Sequence, residues 1–255
     1  MTIIKPYKRI IRPFVGKSSF EYAKGKNSSD DDSHILDSRY ASDRISLIRA
    51  YHILEKDLIS LFDFIEPTDN NGKVFSHRIY ELFLRASTEF EANCKGILNA
   101  NNYQSNNEFK IYDYFKINNW SKLSEYEIKL SIWQGNNFKV FKPLEDWSKG
   151  SSLPWYQSYN QVKHNRSDNF HLASLENLLK AIASVFVVLC SQFYYFIFEE
   201  NREANGYTED DTEFWISHNN SLFSIKLPRT WKPEELYDFN WSNLKGTPNP
   251  FEKAV

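Results

Sequence analysis

The chain has 255 residues, 41% hydrophobic and 16% aromatic, with only 8 glycines and 9 prolines. That is enough apolar surface for one large ordered core, and it excludes a disordered or collagen-like chain. Lys and Arg (31) nearly balance Asp and Glu (33), so no global field draws the protein to nucleic acid or acidic ligands, and any anion recognition must be local.

Residues 1–40 read as an irregular arm. "IIKPYKRIIRPF" alternates like a strand but is broken by Pro6 and Pro13, and "KNSSDDDSH" is a polar loop with an acidic run. From Lys5 to Lys26 there are seven basic residues and one acid, Glu21, a net +6. A run of this kind is expected to face solvent; the sharper alternative is an arm that contacts phosphates. The first residues lack the apolar segment of a secretory signal. Cys94 and Cys190 have no CxxC spacing and no Cys/His neighbour, which argues against a disulfide framework or zinc site and for a reducing, cytoplasmic setting.

The first helix is predicted over 41–65, capped by Ser42 and ended by Pro67, with Ile45, Ile48, Leu54, Leu58, Leu61 and Phe62 near the helical period. The second runs from Ser76 to Ala100 on a stripe that includes Ile79, Phe83, Phe90, Cys94 and Ile97. Arg78, Glu81, Arg85 and Glu89 share another face of it, either as an exposed ladder of ion pairs or as a charged face turned toward a second helix. "EIKLSIW" and "FKVFKPL" around "QGNN" predict a hairpin insertion near 127–143, and "EFWIS" with "LFSIKLP" a second hairpin. Ala181–Phe198 is 18 residues without a charge, the lower edge of a membrane span. Ser184, Ser191 and Gln192 interrupt it and an amphipathic run precedes it, so a buried core helix and no membrane are expected. The expected division is a basic arm at 1–40, a helical core at 41–200, and a C-terminal hairpin with a Trp/Pro-rich tail at 201–255. The fold class is mainly α, a bundle of long helices decorated by one or two small β-hairpins.

No GxGxxG, P-loop, HExxH or GxSxG occurs, so no cofactor is expected. The six histidines are scattered and lack carboxylates at metal-ligand spacing, so no metal is expected either. The candidate site is "SYNQVKHNRSDNF". Asn160 and His164 are four apart and lie on one helical face, flanked by Lys163 and Arg166. An imidazole beside two cations and an amide suits an anion such as phosphate, and a neutral His can act as general base. The plain alternative is an exposed, positively charged helix end.

"YNQVKHNRSDNFHLASLENLLKAIASVFVVL", preceded by "SHRIYELFLRASTEFEANCKGIL", resembles the HEPN superfamily of four-helix bundles, and within it bacterial proteins of unknown function. The likeness covers about 76–100 and 155–198. Many members are metal-independent ribonucleases of toxin–antitoxin, phage-defence and RNA-processing systems, and their hallmark is RNxxxH near the start of a core helix. Here Asn160 and His164 match, but Tyr159 stands where the family has its arginine. The resemblance implies an HEPN-like helical bundle with an RNA-related role. If active, it would cleave RNA through the substrate's 2′-hydroxyl, with His164 as base or acid, Arg166 or Lys163 holding negative charge and Asn160 positioning phosphate. Arg85 and Tyr159 are further candidates for substrate contact. It also implies a homodimer with two motifs facing one cleft, and an antitoxin or other protein partner. Loss of the arginine equally fits a catalytically silent module that binds RNA, nucleotide or protein.

Overall fold

The longest periodic stretch of the sequence becomes the longest helix. A computed structural model describes residues 2–16, 33–105, 107–194, 197, 207–210, 213–217 and 221–254. Its α-helices are α1 (Arg44–Phe62), α2 (His77–Ala100), α3 (Ile111–Ser121), α4 (Pro154–His164), α5 (Arg166–Asn169), α6 (Leu175–Phe193) and α7 (Trp241–Leu244). Its strands are β1 (Glu127–Leu130), β2 (Val140–Phe141), β3 (Tyr207–Asp210), β4 (Glu213–Ile216) and β5 (Phe223–Lys226). The molecule is mainly α with a small antiparallel sheet.

Ser76 caps α2 as expected, its hydroxyl accepting the Ile79 N–H at 3.2 Å. The cap of α1 is Asp43 rather than Ser42, and its carboxylate is taken by the Arg9 guanidinium instead of the helix N–H groups. Ile45, expected inward, is 74% exposed, because the first turn of α1 lies at the rim. α2 packs along α6, α1 lies against both, and α4 covers the other side of α2. Between them lie Tyr51, Leu58, Phe83, Phe90, Cys94, Ile97 and Phe186, all fully buried. Sixteen of the 19 residues of α6 are buried. That helix is long and apolar enough to cross a membrane by length and composition, but its apolar surface is covered by the chain's own elements. It ends at Phe193, five residues before the expected limit, where Tyr194 takes φ 57°.

The two expected hairpins are one sheet, in the order β2-β1-β5-β4-β3. β1 pairs with β2 through only two residues and with β5 through four, from Glu127↔Lys226 to Leu130↔Phe223. The buried Ile128, Leu130, Phe223 and Ile225 form the inner face. The "QGNN" segment wraps the Asp69 carboxylate, which accepts N–H groups from the Trp133 indole (2.7 Å), Asn136 (3.0 Å) and Asn137 (3.2 Å). α3 was not evident from periodicity. Its start is held by Asp113, whose carboxylate accepts the Lys110 N–H at 2.8 Å and the Tyr103 hydroxyl at 3.1 Å.

The central part of the N-terminal arm, residues 9–14, does not face solvent. Ile10, Ile11 and Phe14 are buried, and so are Arg9 and Arg12. Arg9, at φ 57°, reaches the buried Gln192 carbonyl oxygen (3.3 Å) across Gly96 of α2. Arg12 lies between the rings of Tyr7 (5.1 Å) and Trp231 (5.4 Å). The apolar residues of the arm seat it in the core, and each buried cation can follow because the fold supplies it a partner. The acidic run and the basic residues from Lys17 to Lys26 lie outside the described residues.

Candidate functional site

α4 begins with Pro154 at its first position, where no N–H is needed. Trp155, Tyr156, Tyr159 and Val162 turn into the core. Trp155 meets Phe90 with ring centroids 5.2 Å apart, and Tyr159 meets Phe83 at 6.2 Å. The helical period therefore turns Asn160 and His164 outward: Asn160 is half-buried and His164, the last residue of α4, is exposed. Among the described residues neither side chain has a hydrogen bond or ion pair.

The chain breaks at Asn165 (φ −144°, ψ 78°), earlier than "SDNF" suggested. The Asn165 amide donates to the Asp168 carboxylate at 2.7 Å and starts the short α5. This turn carries Arg166 back over α2, its guanidinium 5.8 Å from the Tyr80 ring centroid. Phe170 then sits among Phe75 (5.5 Å), His77 (4.8 Å) and Tyr80 (5.9 Å). Two backbone bonds fix the start of α6 to the segment before α2: Leu175 N–H to the Val74 carbonyl and Glu176 N–H to the Gly72 carbonyl, both 2.9 Å.

Lys163 bends over Tyr159, donating to its hydroxyl at 3.1 Å with the ammonium 5.1 Å from the ring centroid. That bond raises the Lys163 pKa above the ordinary lysine value. A cation thus stands beside Tyr159. Tyr159 itself is 2% exposed and its ring is part of the core. Arg85 is elsewhere. It lies two residues from Phe83, about 200° around α2, and pairs with Asp57 of α1 at 2.5 Å. The structure brings Tyr159, Asn160, Lys163, His164 and Arg166 to one end of α4, with Arg85 on the far side of α2.

No family model, no curated protein and no solved structure matches the chain.

What gathers at the end of α4 is a surface with two kinds of group. Lys163, His164, Arg166 and His77 are exposed cations or imidazoles, and Phe75, Tyr80 and Phe170 are partly exposed rings. Asp168 is the acid among them, and Asn165 holds it. The helix C-terminus favours the positive groups. Phe75, His77, Tyr80 and Phe170 were not singled out from sequence, since two strands of chain far apart in number supply them. Their one local signal is aromatic residues at the polar start of a helix. Among the described residues no group of three or more His, Cys, Asp or Glu could hold a metal ion; His218 lies outside them. His34 is buried in rings of Tyr40, Phe239 and Trp241 (5.2–6.1 Å), and burial lowers its pKa to about 3, so it is neutral and outside this surface.

Proposed function

We propose that the protein is an HEPN-like RNA-binding module that holds single-stranded RNA at the end of α4 and does not itself cleave it. The observation that carries this is the Arg166 guanidinium over Tyr80 beside the Phe170–His77 pair, with Lys163 and His164 along the edge. Unpaired bases stack on aromatic faces and guanidinium planes, while neighbouring cations contact phosphates. The net charge of −2 leaves such binding to a local patch of this kind.

The same geometry speaks against cleavage. A general base works when a second group fixes its orientation and tautomer, and a developing phosphorane charge needs a held cation. His164 has no such partner among the described residues, Lys163 is turned onto Tyr159, and Arg85 is engaged by Asp57.

Fluorescence anisotropy with labelled single-stranded and duplex RNA tests the proposal. Wild type should prefer the single strand, and Lys163→Ala/Arg166→Ala should weaken binding about tenfold or more and flatten its salt dependence. Failure of wild type to bind single-stranded RNA at low salt, or equal affinity of the double variant, removes it. An RNA cleavage abolished by His164→Ala would instead assign catalysis to this end.

A further inference from the structure

The outward face of α2 carries the ladder Arg78, Glu81, Arg85 and Glu89, on the side opposite Phe83 and Phe90 and therefore away from α4. Beside it, α1 and the residues just after it present Ile53, Asp57, Ser60 and Phe64 at helical spacing, with Phe64 87% exposed and Ile53 46%. Two grooves, of about 110 and 370 Å³, run between these stripes and share Arg85. The floor is apolar (Leu54, Leu61, Leu82) and the rim is charged.

The order of charges along this rim is specific. It reads plus, minus, plus, minus at positions 78, 81, 85 and 89. A two-fold axis crossing α2 at the level of Phe83 sets residue 78 opposite 89 and residue 81 opposite 85. Every opposed pair is then an Arg with a Glu. A parallel arrangement would instead set each charge against itself. Glu89 is half-buried and, among the described residues, has no ion pair of its own, since the neighbouring Arg85 bonds Asp57. Burial raises its carboxyl above the ordinary value, and Arg85 offsets this only in part. Arg78 is 77% exposed and, among the described residues, its ion pair is with Glu81 on its own helix.

We infer that the α1/α2 face is the seat of a second copy of this chain, docked antiparallel about a two-fold axis so that Arg78 of each copy meets Glu89 of the other and Ile53 of each meets Phe64 of the other. Self-complementary charge selects this occupant, because an isologous interface must pair a surface with itself. The apolar groove supplies the area removed from water, and the rim ion pairs set register. This pairing is independent of the RNA reading. It also differs from a dimer closed through the motif helices, because α4 stays exposed on the outer side.

Charge reversal of the full-length chain, read by sedimentation equilibrium, tests the inference. Wild type should dimerise. Arg78→Glu and Glu89→Arg should each raise the dimer dissociation constant roughly tenfold or more, since each creates two like-charge contacts. Mixing the two single variants should restore assembly as a heterodimer, because one then offers two acids where the other offers two arginines. Circular dichroism of each single variant keeps folding defects separate from assembly defects. A monomeric wild type, single variants as tightly dimeric as wild type, or a folded mixture that fails to associate would each overturn it. Retained RNA binding by folded, monomeric single variants would show that the two readings are separable.

Discussion

Lys163 donates to the Tyr159 hydroxyl at 3.1 Å from one turn further along α4 and covers the tyrosine ring. On the proposed HEPN-like reading Tyr159 would stand where that family has arginine; it is a core residue against Phe83, so its surroundings suit a ring and not a guanidinium. Tyr159→Arg should place a second cation beside Lys163 in the core, where the nearby Glu91 carboxylate is already bonded by Tyr156, and cost about 3 kcal/mol or more. Tyr159→Phe removes only the hydroxyl's bond and should cost about 1 kcal/mol. Thermal or urea unfolding checks both; a Tyr159→Arg protein as stable as wild type would show that the site has room for the family arrangement.

Asp69 supplies the acid-sensitive contact of the β1–β2 loop. The Trp133 indole N–H first, then the Asn136 and Asn137 N–H groups, hold its carboxyl below the ordinary value. A depressed carboxyl contributes stability above its unfolded pKa and loses it as pH falls through the folded pKa. Wild type should therefore weaken on acidification below the usual carboxylate range more steeply than Asp69→Ala. Urea midpoints measured across pH 2–6 read this difference, and parallel curves would remove Asp69 from the acid response.

Gly135 makes that loop possible. It has φ +130°, and a Cβ there would lie 2.3 Å from the Asp69 carboxylate. Gly135→Ala should destabilise by about 1–3 kcal/mol through strain and displacement of Asp69. In Asp69→Ala the clash is gone and only the backbone strain remains, so the Gly135→Ala cost should shrink; a double-mutant cycle measures this.

Arg9 ties the N-terminal arm to α1 and α6. Its guanidinium pairs with Asp43 and donates to Gln192, whose amide donates to Asn93 of α2 at 2.9 Å. Arg9→Ala should cost about 1–2 kcal/mol by leaving the buried Gln192 side-chain oxygen unpaired, while the exposed Asp43 returns to water. Limited proteolysis should then cut the arm sooner than in wild type, because its side-chain tie to α1 and α6 is gone and the backbone bonds to Ser191, Tyr237 and Glu252 remain. Uniform resistance would mean that the apolar residues alone seat it.

Glu55 joins the sheet to the bundle. Its buried carboxylate accepts from Tyr51 (3.0 Å), the Leu222 N–H (2.9 Å) and Ser221 (3.3 Å). Glu55→Ala should cost about 3 kcal/mol and Glu55→Gln less, since an amide oxygen still accepts some of these bonds. Hydrogen exchange at Leu222 N–H should accelerate in both variants, more in the alanine; an unchanged rate would show that the carboxylate does not hold β5.

Sequence alone determined the elements whose signal is local. The stripe from Ile79 to Ile97 and the Ser76 cap specify α2 without help from the rest of the chain, and the uncharged run in α6 marks a helix that water does not surround. The same local spacing set Asn160 and His164 on one face of α4. Tertiary structure decided what depends on distant partners. Whether the basic arm lies in water or in the core turned on Asp43, Gln192 and Trp231, which lie far from Arg9 and Arg12 in the chain. The joining of two hairpins into one sheet turned on β1 meeting β5 across some ninety-six residues, from Ile128↔Ile225 and its neighbours. At the site, spacing placed the cations along the chain and set Tyr159 one turn before Lys163, but the fold supplied the distant partners: Tyr80 for Arg166 and Asp57 for Arg85. Charges act over short distances at this dielectric, so the neighbour brought by the fold outweighs the neighbour in sequence.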